Sequence, residues 1–131
     1  MCINKKENNY RHSDLTAAVL KAAFEVHNTL GCGFLEKVYE NSLCIELERQ
    51  KVFFKQQEPI KVYYNGGIVG EYFADILVEN TVIVELKTIN KIEAIQEAQL
   101  LNYLKATNKK IGLILNFAKP KLEIKRMVNG L

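Results

Sequence analysis

The sequence predicts an α/β fold in which a central mixed β-sheet is flanked by helices, in the order α-α-β-β-β-β-α-β-β. Three observations carry this expectation. Leu15, Ala18, Ala22, Val26 and Leu30 recur at helical spacing near the start. Residues 81–87, Thr-Val-Ile-Val-Glu-Leu-Lys, form a β-branched and almost continuously apolar run, the pattern of a strand covered on both faces and placed at the sheet centre. A helix-length stretch separates that run from a second one at 111–116, which makes a β-α-β unit with a parallel, right-handed crossover.

Taken in order, residues 1–12 are polar and read as a flexible arm, with a single domain over 13–131. The first helix starts near Ser13, where Ser13 or Asp14 serves as the cap that accepts free N–H groups, and Gly31-Cys32-Gly33 ends it. A second helix covers about 35–50, and short strands follow at 52–56 and 60–64. Asn65-Gly66 tolerates two successive positive-φ positions, so residues 68–78 return antiparallel. Glu79-Asn80 turns the chain into the central strand. A helix over 92–106, the strand at 111–116 and an edge strand at 122–128 complete the fold.

A length of 131 residues fits one domain, and 48% hydrophobic with 25% charged residues excludes a disordered or fibrous chain. The three cysteines, Cys2, Cys32 and Cys44, contain no C-x-x-C pair, so neither a disulfide framework nor a zinc knuckle is expected. Cys32 and Cys44 read as buried thiols in a reducing cytoplasm. The first residues lack the apolar stretch of a signal peptide, and no run approaches the roughly 18 apolar residues of a membrane span. Net charge is +3, yet residues 101–131 hold 7 Lys/Arg against 1 Asp/Glu. Lys105, Lys109, Lys110, Lys119, Lys121, Lys125 and Arg126 therefore form either a phosphate-binding patch or a solvated face.

The candidate chemistry lies in carboxylates inside apolar segments. Glu85 and Lys87 share one face of the central strand, and a buried carboxylate asks for a partner. Asp75 sits on the preceding strand in Tyr72-Phe-Ala-Asp-Ile-Leu-Val78. If Val78 pairs with Val82 across a three-residue turn, Asp75 stands opposite Glu85 and shares its face; a two-residue turn sets it opposite Val84 instead. Glu36 is the third carboxylate. At about 100° per residue, Tyr39, Leu43 and Leu47 fall within about 60° of it, so it shares their apolar stripe, or else it is a helix-start glutamate favoured by the dipole. Glu36, Asp75 and Glu85 together offer the hard oxygen ligands that suit Mg²⁺ or Mn²⁺.

Gly33-Phe-Leu-Glu36-Lys-Val-Tyr39 matches the motif that names the GxxExxY protein family, and the chain resembles that compact branch of the PD-(D/E)XK nuclease superfamily. The superfamily signature is matched by Asp75, a nine-residue gap and Glu85-Leu86-Lys87, with Ala74 in place of the frequent proline. Gln99-Leu-Leu-Asn-Tyr103 matches the Q-x-x-x-Y element of the exonuclease-like branch. The resemblance implies a restriction-endonuclease-like core and a metal-dependent nuclease acting on nucleic acid, with DNA expected before RNA. It implies Asp75, Glu85, Lys87 and Glu36 as catalytic residues, and Mg²⁺ or Mn²⁺ on Glu36, Asp75, Glu85 and the Leu86 carbonyl. Gln99 and Tyr103 would bind substrate, and His27 would be an extra ligand, as a helix histidine is in some relatives. A homodimer or a partner protein is expected from the small recognition surface. The other reading is an inactive nucleic-acid-binding or protein-interaction module on the same fold.

Overall fold

The computed structural model describes residues 12–130, with the side chains from Ser13 onward, so the expected arm at 1–12 lies outside the described residues except for the backbone of His12. Eight elements follow: α1 (His12–Leu30), α2 (Glu36–Arg49), β1 (Phe54–Tyr64), β2 (Gly67–Val78), β3 (Val82–Lys87), α3 (Ala94–Thr107), β4 (Ile111–Asn116) and β5 (Glu123–Val128). The sheet order is β1-β2-β3-β4-β5, with β3 and β4 parallel and every other neighbour antiparallel. The mixed α/β sheet flanked by helices is therefore the architecture present, and β3 holds its centre.

Two apolar layers clamp the sheet. Ile76, Val78, Val84, Leu86 and Leu113 face α1 and α2, where Leu15, Val19, Tyr39, Leu43 and Leu47 meet them. Leu77, Ile83 and Ile114 face α3 through Leu100, Tyr103 and Leu104. Burial of both sides is why residues 81–87 read as a continuous apolar run rather than an alternating one. α3 lies close on the sheet over Gly112, where an added Cβ would stand 2.8 Å from both Leu100 Cδ atoms. Gly112→Ala is expected to cost about 1–3 kcal/mol through overpacking, read as a lower urea midpoint with unchanged slope.

The expected strand pair at 52–56 and 60–64 is one strand, β1, so the order is α-α-β-β-β-α-β-β. The break in the sequence pattern has a local cause. Gln57 takes a φ of 57°, and the β1–β2 ladder skips it and the opposing Asp75, resuming at Glu58 with Ala74. Inside this step Ile76 faces α2 and Leu77 faces α3; beyond it Ala74 and Ile60 face α3. The pleat thus changes parity at Gln57 and Asp75, which period-two reading takes for the end of a strand. Gln56 and Gln57 both donate to Glu40 Oε2 on α2, at 2.7 and 2.9 Å, and these bonds offset a left-handed residue that costs about 1 kcal/mol.

Other boundaries differ by a residue or two. Ser13 and Asp14 already lie within α1, Asp14 in its first turn, so neither is the cap. Asn65 and Gly66 form the two-residue turn with φ of 50° and 81°, and Tyr64 pairs with Gly67. Cys44 is buried, and that burial pushes its thiol up to about 11, whereas Cys32 is exposed, contrary to the expectation of two buried thiols. No helix among the described residues is long and apolar enough to cross a membrane.

Candidate active site

The site is built where β2 and β3 part. Val78 pairs with Val82, so the chain between them is the three-residue turn Glu79-Asn80-Thr81, with Glu79 and Asn80 at φ of 50° and 53° and Thr81 N–H donating to the Val78 carbonyl at 2.9 Å. Continued by one step past Ile76 and Val84, this register sets Asp75 opposite Glu85. Backbone pairing gives way there to side chains. The Asp75 N–H donates to Glu85 Oε2 at 3.1 Å, and the Leu86 N–H donates to Asp75 Oδ2 at 2.8 Å. Each carboxylate thereby closes a ladder position that the pleat change opened. No hydrogen bond among the described residues uses Asp75 Oδ1 or Glu85 Oε1. Because a strand residue directs its N–H and C=O to the same side, the Leu86 carbonyl also opens toward the vacated β2 edge.

The electrostatics of this pair are those of two like charges in a dry place. Glu85 is 7% exposed, and burial first, then the neighbouring Asp75, pushes its carboxyl up to about 8. Asp75 is also raised, by burial and by Glu40 and Glu36, against the lowering effect of the Leu86 N–H and the Lys87 ammonium. Lys87 ends β3 half-buried and forms no ion pair within 4 Å among the described residues, so its charge acts on both carboxyls through space.

Glu36 stands apart from the pair. It is the first residue of α2, exposed, with Oε2 accepting from the Thr88 N–H at 3.3 Å, just past Lys87. Among the described residues no three His, Cys, Asp or Glu side chains come together in a metal-binding cluster. The expected trio of ligands is therefore a pair with Glu36 beside it. The first turn of α2 lies beyond the buried part of the stripe, so Glu36 does not face the core. Glu40 does: it is 4% exposed and holds Lys37, Gln56 and Gln57. Sequence reading missed Glu40 although it falls only about 40° from Glu36 on the same stripe.

The motif around Glu36 has a structural logic of its own. Gly33 takes a φ of 115°, and the Tyr39 hydroxyl accepts from the Phe34 N–H at 3.3 Å and donates to the Gly31 carbonyl at 2.6 Å. The Tyr39 ring stacks on Phe117 with centroids 4.6 Å apart. Glycine and tyrosine thus lock the loop that delivers Glu36 to Thr88. His27 is buried and its Nε2 lies 2.8 Å from the Lys119 carbonyl, so this ring nitrogen is engaged by backbone rather than presented to Asp75 or Glu85.

The segment after Lys87 is pinned from below. Asn116, fully buried, accepts from the Ile89 N–H at 3.0 Å and donates to the Ile89 carbonyl at 2.8 Å and to Glu123 at 3.0 Å. Glu123 accepts in turn from the Ile92 N–H at 3.2 Å, and its carboxyl is held below its usual range, chiefly by the Asn116 amide. Neither residue stands out in the sequence, because a polar residue ending a strand reads as ordinary turn chemistry.

α3 brings Tyr103 to the pair. Tyr103 belongs to the same buried cluster as Ala74 and Ile83, and burial first, then Glu85, raises its hydroxyl above the usual range. Gln99, one turn earlier and exposed, lines the same cleft as Tyr103. The C-terminal basic residues do not gather into one patch. Lys119 and Lys121 follow the end of β4 on the Lys87 side, Lys105 lines the α3 cleft, and Lys109 bonds Asn80 at the opposite sheet end. Lys125 lies 3.8 Å from Glu97.

A mixed sheet clamped by helices, with two carboxylates and a lysine where its central strands separate, defines the restriction-endonuclease-like class of α/β proteins. The sequence pattern of the PD-(D/E)XK nuclease superfamily matches residues 13–127, and the chain belongs to that superfamily. The solved structure of SSO0001 is similar in fold, with a TM-score of 0.56 at 14% identity over 73% of this chain and 51% of its own. This chain thus spans about half the length of that neighbour. No curated protein matches it.

Proposed function

We propose that residues 13–131 act as one metal-dependent nuclease domain of the GxxExxY branch, hydrolysing phosphodiester bonds of DNA before RNA. The observation that supports this most is the Asp75–Glu85 pair, two adjacent carboxyls held in a buried place where both are costly to ionise without a cation. The donor set fits Mg²⁺ or Mn²⁺, which take one or two protein carboxylates and fill the remaining positions with water and phosphate oxygens. Asp75 Oδ1, Glu85 Oε1 and the Leu86 carbonyl would hold the ion, with Glu36 outside them adding negative charge. Bound there, the ion supplies charge neutralisation at the scissile phosphate and a more acidic water.

The chain's own residues do the rest. Lys87 offsets the charge that develops on the phosphate and orients the attacking water from the same face as Glu85. The Leu86 and Asp75 N–H groups, each bonded to a carboxylate, keep both side chains in place before substrate arrives. Gln99 and Tyr103 position the strand, and Lys119 and Lys121 meet its backbone beyond Lys87. His27 is assigned to holding the fold rather than to the ion, a reading that its bond to the Lys119 carbonyl supports.

The test uses single- and double-stranded DNA and RNA, each with Mg²⁺, Mn²⁺ or EDTA. Cleavage is expected with either cation and none in EDTA. Cleavage persisting in EDTA overturns the reading, and binding without cleavage in every condition replaces it by an inactive binding module. Light scattering on the same samples reports whether the protein is the proposed homodimer.

A further inference from the structure

β3 pairs with β2 only through Ile76, Leu77 and Val78, whereas β1 and β2 stay paired out to Tyr64 and Gly67. The hairpin beyond the pleat change therefore projects past β3 as a two-stranded arm. Its inner face turns to α3, and a cleft of about 590 Å³ lies between them, lined by Val62 and Tyr72 from the arm and by Ile95, Gln99, Asn102 and Tyr103 from α3. The Tyr72 and Tyr103 rings meet there with centroids 5.5 Å apart and planes tilted by 40°. Tyr103 joins the cleft to the carboxylate pair, because it shares a buried cluster with Ala74 and Ile83, on the strands that carry Asp75 and Glu85, and feels the charge of both carboxyls.

We propose that this cleft is a nucleobase subsite: an unpaired base of the strand whose phosphate lies at Asp75 and Glu85 enters between arm and helix and stacks on Tyr72. The proposal rests on the nuclease reading of the carboxylates and adds the part of the substrate that the cleft recognises. Tyr72 is 46% exposed and Ile95 69% exposed, so apolar surface stands uncovered beside the site. Lys105 is the only cation among the described lining residues, which makes the cleft poorly suited to a phosphate backbone. A base presents an apolar face with a polar edge, and the Gln99 and Asn102 amides each offer one acceptor and two donors to that edge. Base-paired strands keep those faces stacked and those edges occupied, so the occupant is an unpaired base.

The test measures binding of fluorescein-labelled oligo-dT, oligo-rU and a hairpin duplex to the full chain in EDTA, where no cleavage interferes. Tyr72→Ala and Ile95→Glu are expected to weaken binding of the single strands by about tenfold or more, with Tyr72→Phe within about twofold of wild type and duplex binding little changed. Phe73→Ala alters a side chain of similar exposure on the opposite face of the arm and should leave binding unchanged. Equal losses for single strand and duplex, a matching loss in Phe73→Ala, or no loss in Tyr72→Ala and Ile95→Glu of native melting temperature overturns the subsite. So does self-association that Tyr72→Ala abolishes without affecting oligonucleotide binding. Cation-dependent cleavage in wild type that survives any of these results leaves the nuclease reading standing while removing the subsite. A loss of tight single-strand binding in Tyr72→Ala from a protein that never cleaves does the reverse. The dT and rU arms separate DNA from RNA as the source of the base.

Discussion

Asp75→Asn is expected to lower cleavage by about a thousandfold or more while leaving the fold intact. The substitution keeps a carbonyl oxygen of the same reach, so the Leu86 N–H that donates to Asp75 Oδ2 at 2.8 Å retains an acceptor. What disappears is one of the two negative charges available to a cation. Removing several kcal/mol of transition-state stabilisation corresponds to that loss of rate, each 1.36 kcal/mol being about tenfold. Steady-state cleavage with Mn²⁺, alongside the thermal midpoint in EDTA, separates the outcomes. A midpoint no lower than that of wild type, with lost turnover, is the expected result, because asparagine removes a buried charge beside Glu85; wild-type turnover removes Asp75 from the chemistry.

Glu85→Gln is expected to make the metal-free protein more stable at alkaline pH, by an amount on the order of a few kcal/mol. The sign follows from Glu85, whose carboxyl is pushed from 4.5 to about 8 by burial and by Asp75. Between those values the folded protein holds a proton that the unfolded chain has released. Stability from this group is fully present below about pH 4.5 and is lost as pH rises through about 8. Asp75, raised for the same first cause, adds to the same slope. Glutamine removes the ionisation yet keeps an oxygen for the Asp75 N–H. Urea unfolding in EDTA at pH 5 and pH 8.5 is the measurement. A wild-type stability that rises between these pH values contradicts the assignment, as does a variant no more stable than wild type at pH 8.5. Added Mn²⁺ should stabilise wild type far more than the variant.

These two residues also show how far the sequence could be read. Their meeting depended on a single residue of turn length, and the register that joins them rests on Glu79 and Asn80 both adopting positive φ. Nothing in Glu-Asn-Thr distinguishes this turn from a two-residue one. The elements themselves were legible because period and punctuation agree: the apolar stripe of α1, the Asn65-Gly66 turn, and the doubly covered β3. Elsewhere the controlling interaction was distant in sequence. β1 reads as two strands in the sequence because its parity changes at Gln57, and what holds that step is Glu40, seventeen residues away. Glu40 carries no local signal in the sequence, because the partners that offset the cost of its burial, Gln56 and Gln57, stand on another element. The lysine-rich C-terminal stretch allows either a patch or a solvated face from its sequence alone, and it forms no single patch because β4, β5 and their connections carry its members to different ends of the sheet.

The parity change has a consequence for how such a chain can diversify. On one side of Gln57 and Asp75 lie the strands that hold the carboxylates; on the other lies an arm whose ladder is closed within itself. Residues inserted or deleted in matched pairs near Asn65 and Gly66 would lengthen or shorten the arm without shifting Asp75 against Glu85. The fold therefore uncouples the length of the arm from the register that sets Asp75 against Glu85, so the cleft can be resized while the carboxylate pair keeps its geometry.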